Sequence, residues 1–132
     1  MGKIPILIVA HGNLGAALAR SAQMLTGRRK DIETLGLEEG DGLTNFVEKV
    51  KQLISKFPEA NSILVFVDLR GGTPWNAVLA TGDPRIQLIS GVNLPVLLEV
   101  LIKRDTVSDI DVLAKCALDA ASMCVTSIHI QN

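Results

Sequence analysis

The sequence predicts an α/β fold, in which a doubly wound, mainly parallel sheet of four strands carries helices on both faces. Short β-branched runs alternate with amphipathic segments along the chain, and turn residues separate each run from the segment that follows. The strongest runs are continuously apolar, which is typical of strands that helices cover on both faces. A repeated strand–helix order specifies right-handed crossovers and therefore a parallel sheet.

Four strands are predicted from these runs. The first is Ile6–Ala10, which begins after Pro5 because proline cannot donate to a sheet ladder. Asp31–Leu37 alternates in polarity and predicts a strand near one edge of the sheet. Ser62–Asp68 and Ile86–Ser90 are further apolar runs and complete the parallel set.

Helices are predicted between the strands, where apolar residues return every three or four positions. Glycine or proline ends the first two helices, and prolines stand at the start of the third and fourth. The predicted helices are Gly15–Thr26, Thr44–Phe57, a helix with Thr73 as N-cap and Pro74 as its first residue, a helix from Pro95 to Lys103, and one from Ser108 to about Met123.

The segment Val125–Ile130 is again β-branched and predicts a fifth, short strand. Because it follows a helix at the chain end, we expect it to pair antiparallel at an edge of the sheet. The sequence has no linker, low-complexity tract or internal repeat, so residues 1–132 are predicted to form one domain.

Composition excludes several classes of function. The chain has 132 residues, with 13 Lys and Arg against 14 Asp and Glu, giving a net charge of −1. This balance argues against a generally basic nucleic-acid binder, and an aromatic content of 3% argues against a stacking platform for single strands. We expect no nucleic-acid partner.

The apolar run near the start of the chain, Ile4–Ala10, is far shorter than the roughly 20 residues of a membrane span, and no cleavage site follows it. Cys116 and Cys124 form neither a Cys-x-x-Cys motif nor part of a larger cysteine framework, which predicts two buried thiols in a reducing compartment. The protein is therefore expected to be cytoplasmic.

Polar and glycine residues follow three of the predicted strands. They are the turns His11–Asn13, Asp68–Pro74 and Gly91–Pro95. In open α/β sheets, ligands bind beyond the carboxyl ends of the strands, where the winding reverses. The three turns could therefore converge on one pocket.

His11 is the first candidate catalytic residue. An imidazole at a strand end, beside a glycine, is accessible and suited to act as a nucleophile or base near neutral pH. Asp68, from a neighbouring strand, could accept a hydrogen bond from one ring nitrogen and leave the other free to react. The alternatives are a loop histidine bonded to backbone and an aspartate that caps the turn.

The turn Gly71–Gly72–Thr73 is the second candidate. Paired glycines let backbone amides approach a ligand, the helix start adds a positive dipole, and Thr73 adds a hydroxyl, which together suit phosphoryl oxygens. A simple tight turn is the alternative. Walker, dinucleotide-binding and Gly-x-Ser-x-Gly motifs do not occur, and with two distant histidines and no thiol cluster we expect no metal site and no cofactor.

The chain resembles the IIA component of the mannose-type phosphoenolpyruvate-dependent sugar phosphotransferase system. The resemblance covers nearly the whole chain. Four ordered segments carry it: ILIVAHG (6–12), MLTG (24–27), VDLRGGTPWNA (67–77) and SGVNLPVLLEVL (90–101).

The resemblance implies roles for matching residues. His11 would take a phosphoryl group from the phosphocarrier protein HPr and pass it to a IIB protein, which serves membrane subunits in sugar uptake. Asp68 would support the His11 ring, and Gly71, Gly72 and Thr73 would contact the phosphoryl group. We expect the IIB acceptor to be a separate chain.

The resemblance also implies a homodimer in which a C-terminal antiparallel strand is exchanged, and residues 125–130 fit that strand. Two partners that dock in turn require an open, shallow pocket. Its predicted rim comprises Gly12, Asn13, Leu14, Leu69, Arg70, Trp75 and Asn93. Asn13 and Arg70 occupy positions that vary or are aromatic in relatives. Arg70 could tune partner choice, steady phosphate charge, or simply be a solvated arginine.

Three other functions are alternatives to the phosphoryl relay. One is a regulatory module that signals through the phosphorylation state of His11. Another is the phosphoryl-donor subunit of a dihydroxyacetone kinase system, in which we would expect neither Gly-Gly-Thr-Pro nor Gly-Val-Asn-Leu-Pro. The last is a His-Asp-assisted hydrolase that uses Thr73, which lacks a recognisable nucleophile setting.

Overall fold

The structure, a computed structural model, describes residues 3–131. Four strands alternate with helices, and two helices follow the last strand. The elements are β1 (Ile6–His11), α1 (Leu14–Thr26), β2 (Ile32–Leu37), α2 (Leu43–Ile54), β3 (Ile63–Val67), α3 (Thr73–Ala80), β4 (Ile86–Ile89), α4 (Leu94–Arg104) and α5 (Ile110–Ala121).

The four strands form one parallel sheet in the order β2-β1-β3-β4. From β1 the chain moves outward to β2, then returns across β1 to β3 and continues to β4. The winding direction therefore reverses between β1 and β3. The predicted doubly wound parallel fold is confirmed, and the reversal is the place where such sheets bind ligands.

Helices cover both faces of the sheet, and alternate residues of the strands point to opposite faces. Ile6 and Ile8 of β1 pack with α1, α4 and α5, whereas Leu7 and Val9 pack with α2 and α3. These four side chains have no exposed surface. A strand buried on both faces must be apolar throughout, which explains the unbroken run in the sequence.

All five helices begin at a residue other than the one predicted, and α1 and α4 each begin one residue earlier, at Leu14 and Leu94. α2 begins at Leu43 after the N-cap Gly42, not after Thr44. α3 has Gly72 as its N-cap, so that Thr73 is already helical. α5 is capped by Asp109 rather than Ser108, because the Asp109 carboxylate accepts from the amides of Asp111 and Val112.

The predicted fifth strand does not form within the single chain. Residues 125–130 have no strand pairing, and Val125, Ile128 and Ile130 are 88–90% exposed. The segment therefore has neither ladder hydrogen bonds nor packing that would fix it at an edge of its own sheet.

The sequence also predicted buried cysteines and no membrane-spanning segment. Cys116 and Cys124 are free thiols, but both are half-buried rather than buried as predicted. Across residues 3–131, the helices are too short and too polar to cross a membrane.

Candidate active site

His11 and Asp68 meet at the point where the winding of the sheet reverses. His11 is the last residue of β1, and Asp68 directly follows the last residue of β3. The Asp68 Oδ2 atom lies 2.8 Å from the His11 ring Nδ1 and accepts from the His11 backbone N–H at 3.0 Å. One carboxylate oxygen thus holds both the backbone and the ring of His11.

The electrostatics of Asp68 decide which ring nitrogen is free. Burial alone would raise the pKa of Asp68, but hydrogen bonds from the His11 amide and ring outweigh it, so the pKa is lowered. The other carboxylate oxygen, Oδ1, accepts from the Leu69 amide at 3.0 Å. An ionised carboxylate has no proton to donate, so in this contact Nδ1 carries the proton, and Nε2 of neutral His11 keeps its lone pair.

The His11 ring is open to large partners. Its side chain is 46% exposed, whereas that of Asp68 is 11% exposed. Two cavities of about 510 and 570 Å³ lie elsewhere, one between α1 and β2 and the other around the amino ends of the strands. The site thus combines a largely exposed imidazole with a mostly buried carboxylate that holds it.

The glycine turn lies directly beside the ring. A Cβ atom on Gly72 would contact His11 Cε1 at 3.5 Å. Gly71 has a φ of 84°, a conformation that glycine adopts without strain, and its carbonyl accepts from the Asn76 side chain at 3.3 Å. The turn is thereby fixed close to the imidazole.

The start of α3 offers unpaired donors at this position. Because the N-cap is Gly72, no side chain satisfies the first amides of the helix. Within residues 3–131, the amides of Gly72, Thr73 and Trp75 and the Thr73 hydroxyl donate no hydrogen bond. These groups and the positive end of the helix dipole can bind anionic oxygens.

The third predicted turn, Gly91–Pro95, lies beside Asp68 and is hydrogen-bonded to it. The Gly91 amide donates to the Asp68 carbonyl at 3.2 Å, and the Val92 amide donates to the Val67 carbonyl at 3.1 Å. Asn93 uses its side chain locally, since its Oδ1 caps α4 through the Val96 amide and its Nδ2 donates to the Gly91 carbonyl. The three turns do converge, with Asn93 holding its own loop in shape.

The remaining rim residues differ in exposure. Leu14 and Leu69 are exposed apolar side chains, at 43% and 60%. Asn13 and Arg70 are also exposed, and Gly12 is half-buried. Trp75 is half-buried and packs against the core on the α2–α3 face. Leu14 and Leu69 are therefore the exposed apolar side chains among the residues predicted for the rim.

Two features near the site were not predicted from the sequence. One is the loop after β2, where Glu38, Glu39 and Asp41 place carboxylates at the same end of the sheet. The other is Gly36, which approaches the Gly12 carbonyl closely. An isolated glycine inside a strand is the signal that could have identified this approach.

The arrangement supports nucleophilic chemistry at one nitrogen. A neutral, oriented imidazole presents Nε2 beside amide donors that suit an electrophile bearing anionic oxygens. Within the described part of the chain, no three His, Cys, Asp or Glu side chains are grouped as metal ligands.

The sequence of the whole chain is similar to those of known proteins. A family model described as "EIIA-man: PTS system fructose IIA component" matches residues 5–117. The "PTS system fructose-specific EIIA component" of Bacillus subtilis (strain 168) is 34% identical over 132 residues, covering 98% of this chain and 90% of that protein. The "PTS system mannose-specific EIIAB component" of Escherichia coli (strain K12) is 30% identical, and the match covers 88% of this chain but only 36% of that longer protein.

Solved structures agree in fold along nearly the whole chain. The "Mannose/sorbose specific IIA subunit of phosphotransferase system" from Enterococcus faecalis superposes with a TM-score of 0.87 at 26% identity, covering 99% of this chain and 98% of that one. The "phosphotransferase system component EIIA" from Streptococcus agalactiae gives a TM-score of 0.83 at 25% identity, covering 94% and 96% of the two chains.

Proposed function

The chain belongs to the EIIA-man family of phosphotransferase-system IIA components, and we propose that it relays a phosphoryl group through Nε2 of His11. The observation that carries the proposal is the 2.8 Å contact between His11 Nδ1 and Asp68 Oδ2. This contact orients the ring, fixes its tautomer and leaves one nitrogen available for transfer.

The transfer step needs no external reagent. The Nε2 lone pair of His11 attacks the phosphorus of a phosphohistidine on the donor protein, HPr. A new N–P bond forms while the donor N–P bond breaks, and the bonding pair returns to the donor ring. The proton on Nδ1 stays in the hydrogen bond to Asp68, whose negative charge offsets the positive charge that develops on the ring.

The phosphoryl oxygens would be held by the turn before α3. Free amides near Gly72 and Thr73, the Thr73 hydroxyl and the helix dipole stabilise charge on the transferring group. Since little covalent chemistry remains, positioning and charge stabilisation supply the catalysis.

The openness of the site supports a relay rather than a closed enzyme. A histidine that is 46% exposed can meet one partner that delivers the phosphoryl group and another that removes it. The exposed Leu14 and Leu69 provide apolar contacts for both partners. The proposed partners are HPr as donor and a IIB protein as acceptor, which in turn serves the membrane subunits of the same system.

A homodimer is proposed as the working state. Residues 125–130 carry three β-branched side chains that are 88–90% exposed, which a stable chain in water would be expected to cover. β2 and β4 are the two edge strands of the sheet and have free hydrogen-bonding groups on their outer sides. If this segment paired with an edge strand of a second copy, its exposed side chains would be covered and the free hydrogen-bonding groups of that edge would be paired.

Phosphorylation with purified components tests the proposed relay. Phosphoenolpyruvate, enzyme I and HPr should place one acid-labile, base-stable phosphoryl group on the protein, and His11→Ala should take up none. His129→Ala is the matched control, because the chain has 2 histidines and His129 lies on the exposed C-terminal segment. It should be labelled like the wild type.

Other results would contradict the proposal in different ways. Labelling of His11→Ala would place the phosphoryl group on another residue. Release of phosphate with no stable label would indicate a hydrolase. A stable label that no IIB protein can accept would favour a regulatory module over a relay.

A further inference from the structure

We propose that Arg70 contacts the phosphoryl group on His11 and is the cation that stabilises it during transfer. This inference rests on the proposed relay and adds a phosphoryl-binding side chain to the Gly71–Gly72–Thr73 turn. The sequence left open whether Arg70 is functional or merely solvated, and this proposal gives it a functional role.

The charges at the carboxyl end of the sheet favour a cation beside His11. The loops that follow the four strands comprise residues 12–13, 38–42, 68–72 and 90–93. Their acidic residues are Glu38, Glu39, Asp41 and Asp68, and Arg70 is their one basic residue. A phosphoryl group would add up to two further negative charges beside Asp68, so a nearby cation is needed to offset them.

Arg70 is close to the His11 ring along the chain. Arg70 lies two residues from Asp68, which bonds the His11 ring, and two residues from Gly72, which lies against His11 Cε1. Two residues span at most about 7 Å of chain, so the base of the Arg70 side chain is close to the ring from either direction. A long arginine side chain on this turn can therefore reach a group bound at Nε2.

The guanidinium of Arg70 is available to bind a ligand. Its side chain is exposed, and among residues 3–131 it makes no hydrogen bond or ion pair. The other cation near this end of the sheet, Lys49, is bound to the Asp41 carboxylate at 3.1 Å. Arg70 is thus the free cation, and a planar guanidinium suits two phosphoryl oxygens at once.

The contact would be made in stages. In the unphosphorylated protein the guanidinium is solvated and leaves Nε2 accessible. As the phosphoryl group arrives, the guanidinium moves onto its equatorial oxygens, which the turn amides approach from the α3 side. Because Arg70 retains its proton throughout, it contributes charge and hydrogen bonds but takes no part in proton transfer.

The test compares Arg70→Gln and Arg70→Lys with Arg20→Gln. Arg20 is an exposed arginine of α1 that lines the cavity beside β2 and belongs to none of the loops around His11. Transfer from phospho-HPr should slow about tenfold in Arg70→Gln, as expected for loss of a hydrogen bond to a charged group, and should be largely restored in Arg70→Lys. Arg20→Gln should match the wild type.

A second measurement needs no protein partner. His11 is phosphorylated chemically with phosphoramidate, and the phosphorus resonance of the product is followed against pH. Since a neighbouring cation favours the dianion, the phosphoryl pKa should be higher in Arg70→Gln than in the wild type, Arg70→Lys or Arg20→Gln. A purely structural residue would not move this value.

Each outcome decides the question. If transfer slows in Arg70→Gln while the phosphoryl pKa is unchanged, Arg70 binds the partner protein and the inference is wrong. If neither changes, Arg70 is solvated and the inference is also wrong. Failure of wild-type His11 to accept from phospho-HPr would refute the relay instead, and the phosphoramidate measurement distinguishes the two failures.

Discussion

Gly36 of β2 faces the carbonyl group of Gly12 so closely that a Cβ atom on Gly36 would overlap the oxygen and lie 3.0 Å from the carbonyl carbon. The Gly12 amide also donates to the Leu37 carbonyl at 2.9 Å. The end of β2 therefore supports the turn that follows His11, although no β2 side chain takes part in the proposed chemistry.

Gly36→Ala is predicted to damage both the fold and the relay. The added methyl group must push β2 away from Gly12 or shift the turn beside His11, because backbone atoms cannot move aside as a flexible side chain can. The free energy of unfolding should fall by about 1–3 kcal/mol in urea titrations, the usual cost of overpacking. Phosphoryl transfer to His11 should also slow.

Gly42→Ala is the control for this prediction. Gly42 has a φ of −91° that alanine adopts readily, and nothing lies within 4 Å of a Cβ atom there. Its replacement should lower the free energy of unfolding by no more than the loss of a favourable N-cap, and the rate of transfer should be unchanged. Equal effects of the two substitutions would show that the approach of Gly36 to Gly12 does not support the site.

Asp68→Asn is predicted to slow transfer without unfolding the protein. The amide can still bond the His11 backbone, but it no longer requires the proton to sit on Nδ1, and it cannot offset positive charge on the ring. A loss of roughly 10²-fold is expected, at the lower end of what a positioned acid–base partner contributes. Asp119→Asn, in an exposed ion pair on α5, is the control and should transfer normally.

The same substitution predicts a difference in acid stability. The pKa of Asp68 is lower in the folded protein than its ordinary value of about 3.9, so ionised Asp68 stabilises the fold. This contribution is fully present above about pH 4 and is lost as the pH falls through the lower, folded pKa. Wild type and Asp68→Asn should therefore converge in stability as the pH falls below 4, measured by urea denaturation at each pH. A constant difference would contradict the assignment.

Replacing Gly71 with alanine is predicted to lower stability, whereas replacing Gly72 is predicted chiefly to slow transfer. Gly71 has a φ of 84° and open space around it, so Gly71→Ala should cost about 1 kcal/mol through backbone strain. Gly72 has a φ of −79°, but its new methyl group would lie 3.5 Å from His11 Cε1. Gly72→Ala should therefore lower the rate of transfer more than it lowers stability. The prediction is refuted if Gly72→Ala lowers thermal stability more than Gly71→Ala does while transferring phosphate faster.

Much of the site could be predicted from sequence, because parallel strands end at a common edge. The unbroken apolar runs predicted β1 and β3 as buried parallel strands, whose polar end residues were expected to lie at the same edge of the sheet. His11 and Asp68 are therefore close together as a consequence of strand order. Gly71 could likewise be recognised as a turn residue.

Contacts between distant segments could not be predicted, since no local pattern encodes them. Arg104 lies just beyond Lys103, the predicted end of the fourth helix, and is 2% exposed. Its guanidinium donates to the carbonyls of Ile4, Lys30 and Asp31. Burial lowers the pKa of Arg104, although the residue remains a cation. The start of α2 was also mispredicted, since its N-cap is Gly42 rather than Thr44.

Arg104→Met is predicted to destabilise the protein while leaving its chemistry intact. The substitution keeps the apolar stem but removes three hydrogen bonds that join α4 to the start of β1 and to the loop before β2. The Ile4 and Lys30 carbonyls lose their donor, whereas the Asp31 carbonyl keeps the Ile6 amide at 2.9 Å, and the free energy of unfolding should fall by about 3 kcal/mol. Lys103→Met, an exposed neighbour, is the control and should change stability little. Because Arg104 lies at the end of β1 opposite to His11, the folded fraction should still accept phosphate at the normal rate.

The exposed C-terminal segment gives the last prediction. If residues 125–130 pair with a second copy, Ile128 and Ile130 lie on one face of the exchanged strand and lose their exposure in the dimer. Replacing both with aspartate should place two charges in that interface and shift the protein to a monomer, as measured by sedimentation equilibrium. Ser127→Asp with His129→Asp adds the same charges to the opposite face of the strand and should weaken the dimer less. A wild-type protein that sediments as a monomer at micromolar concentrations would refute the exchange, because a segment with 88–90% exposed side chains would then have no partner to cover it.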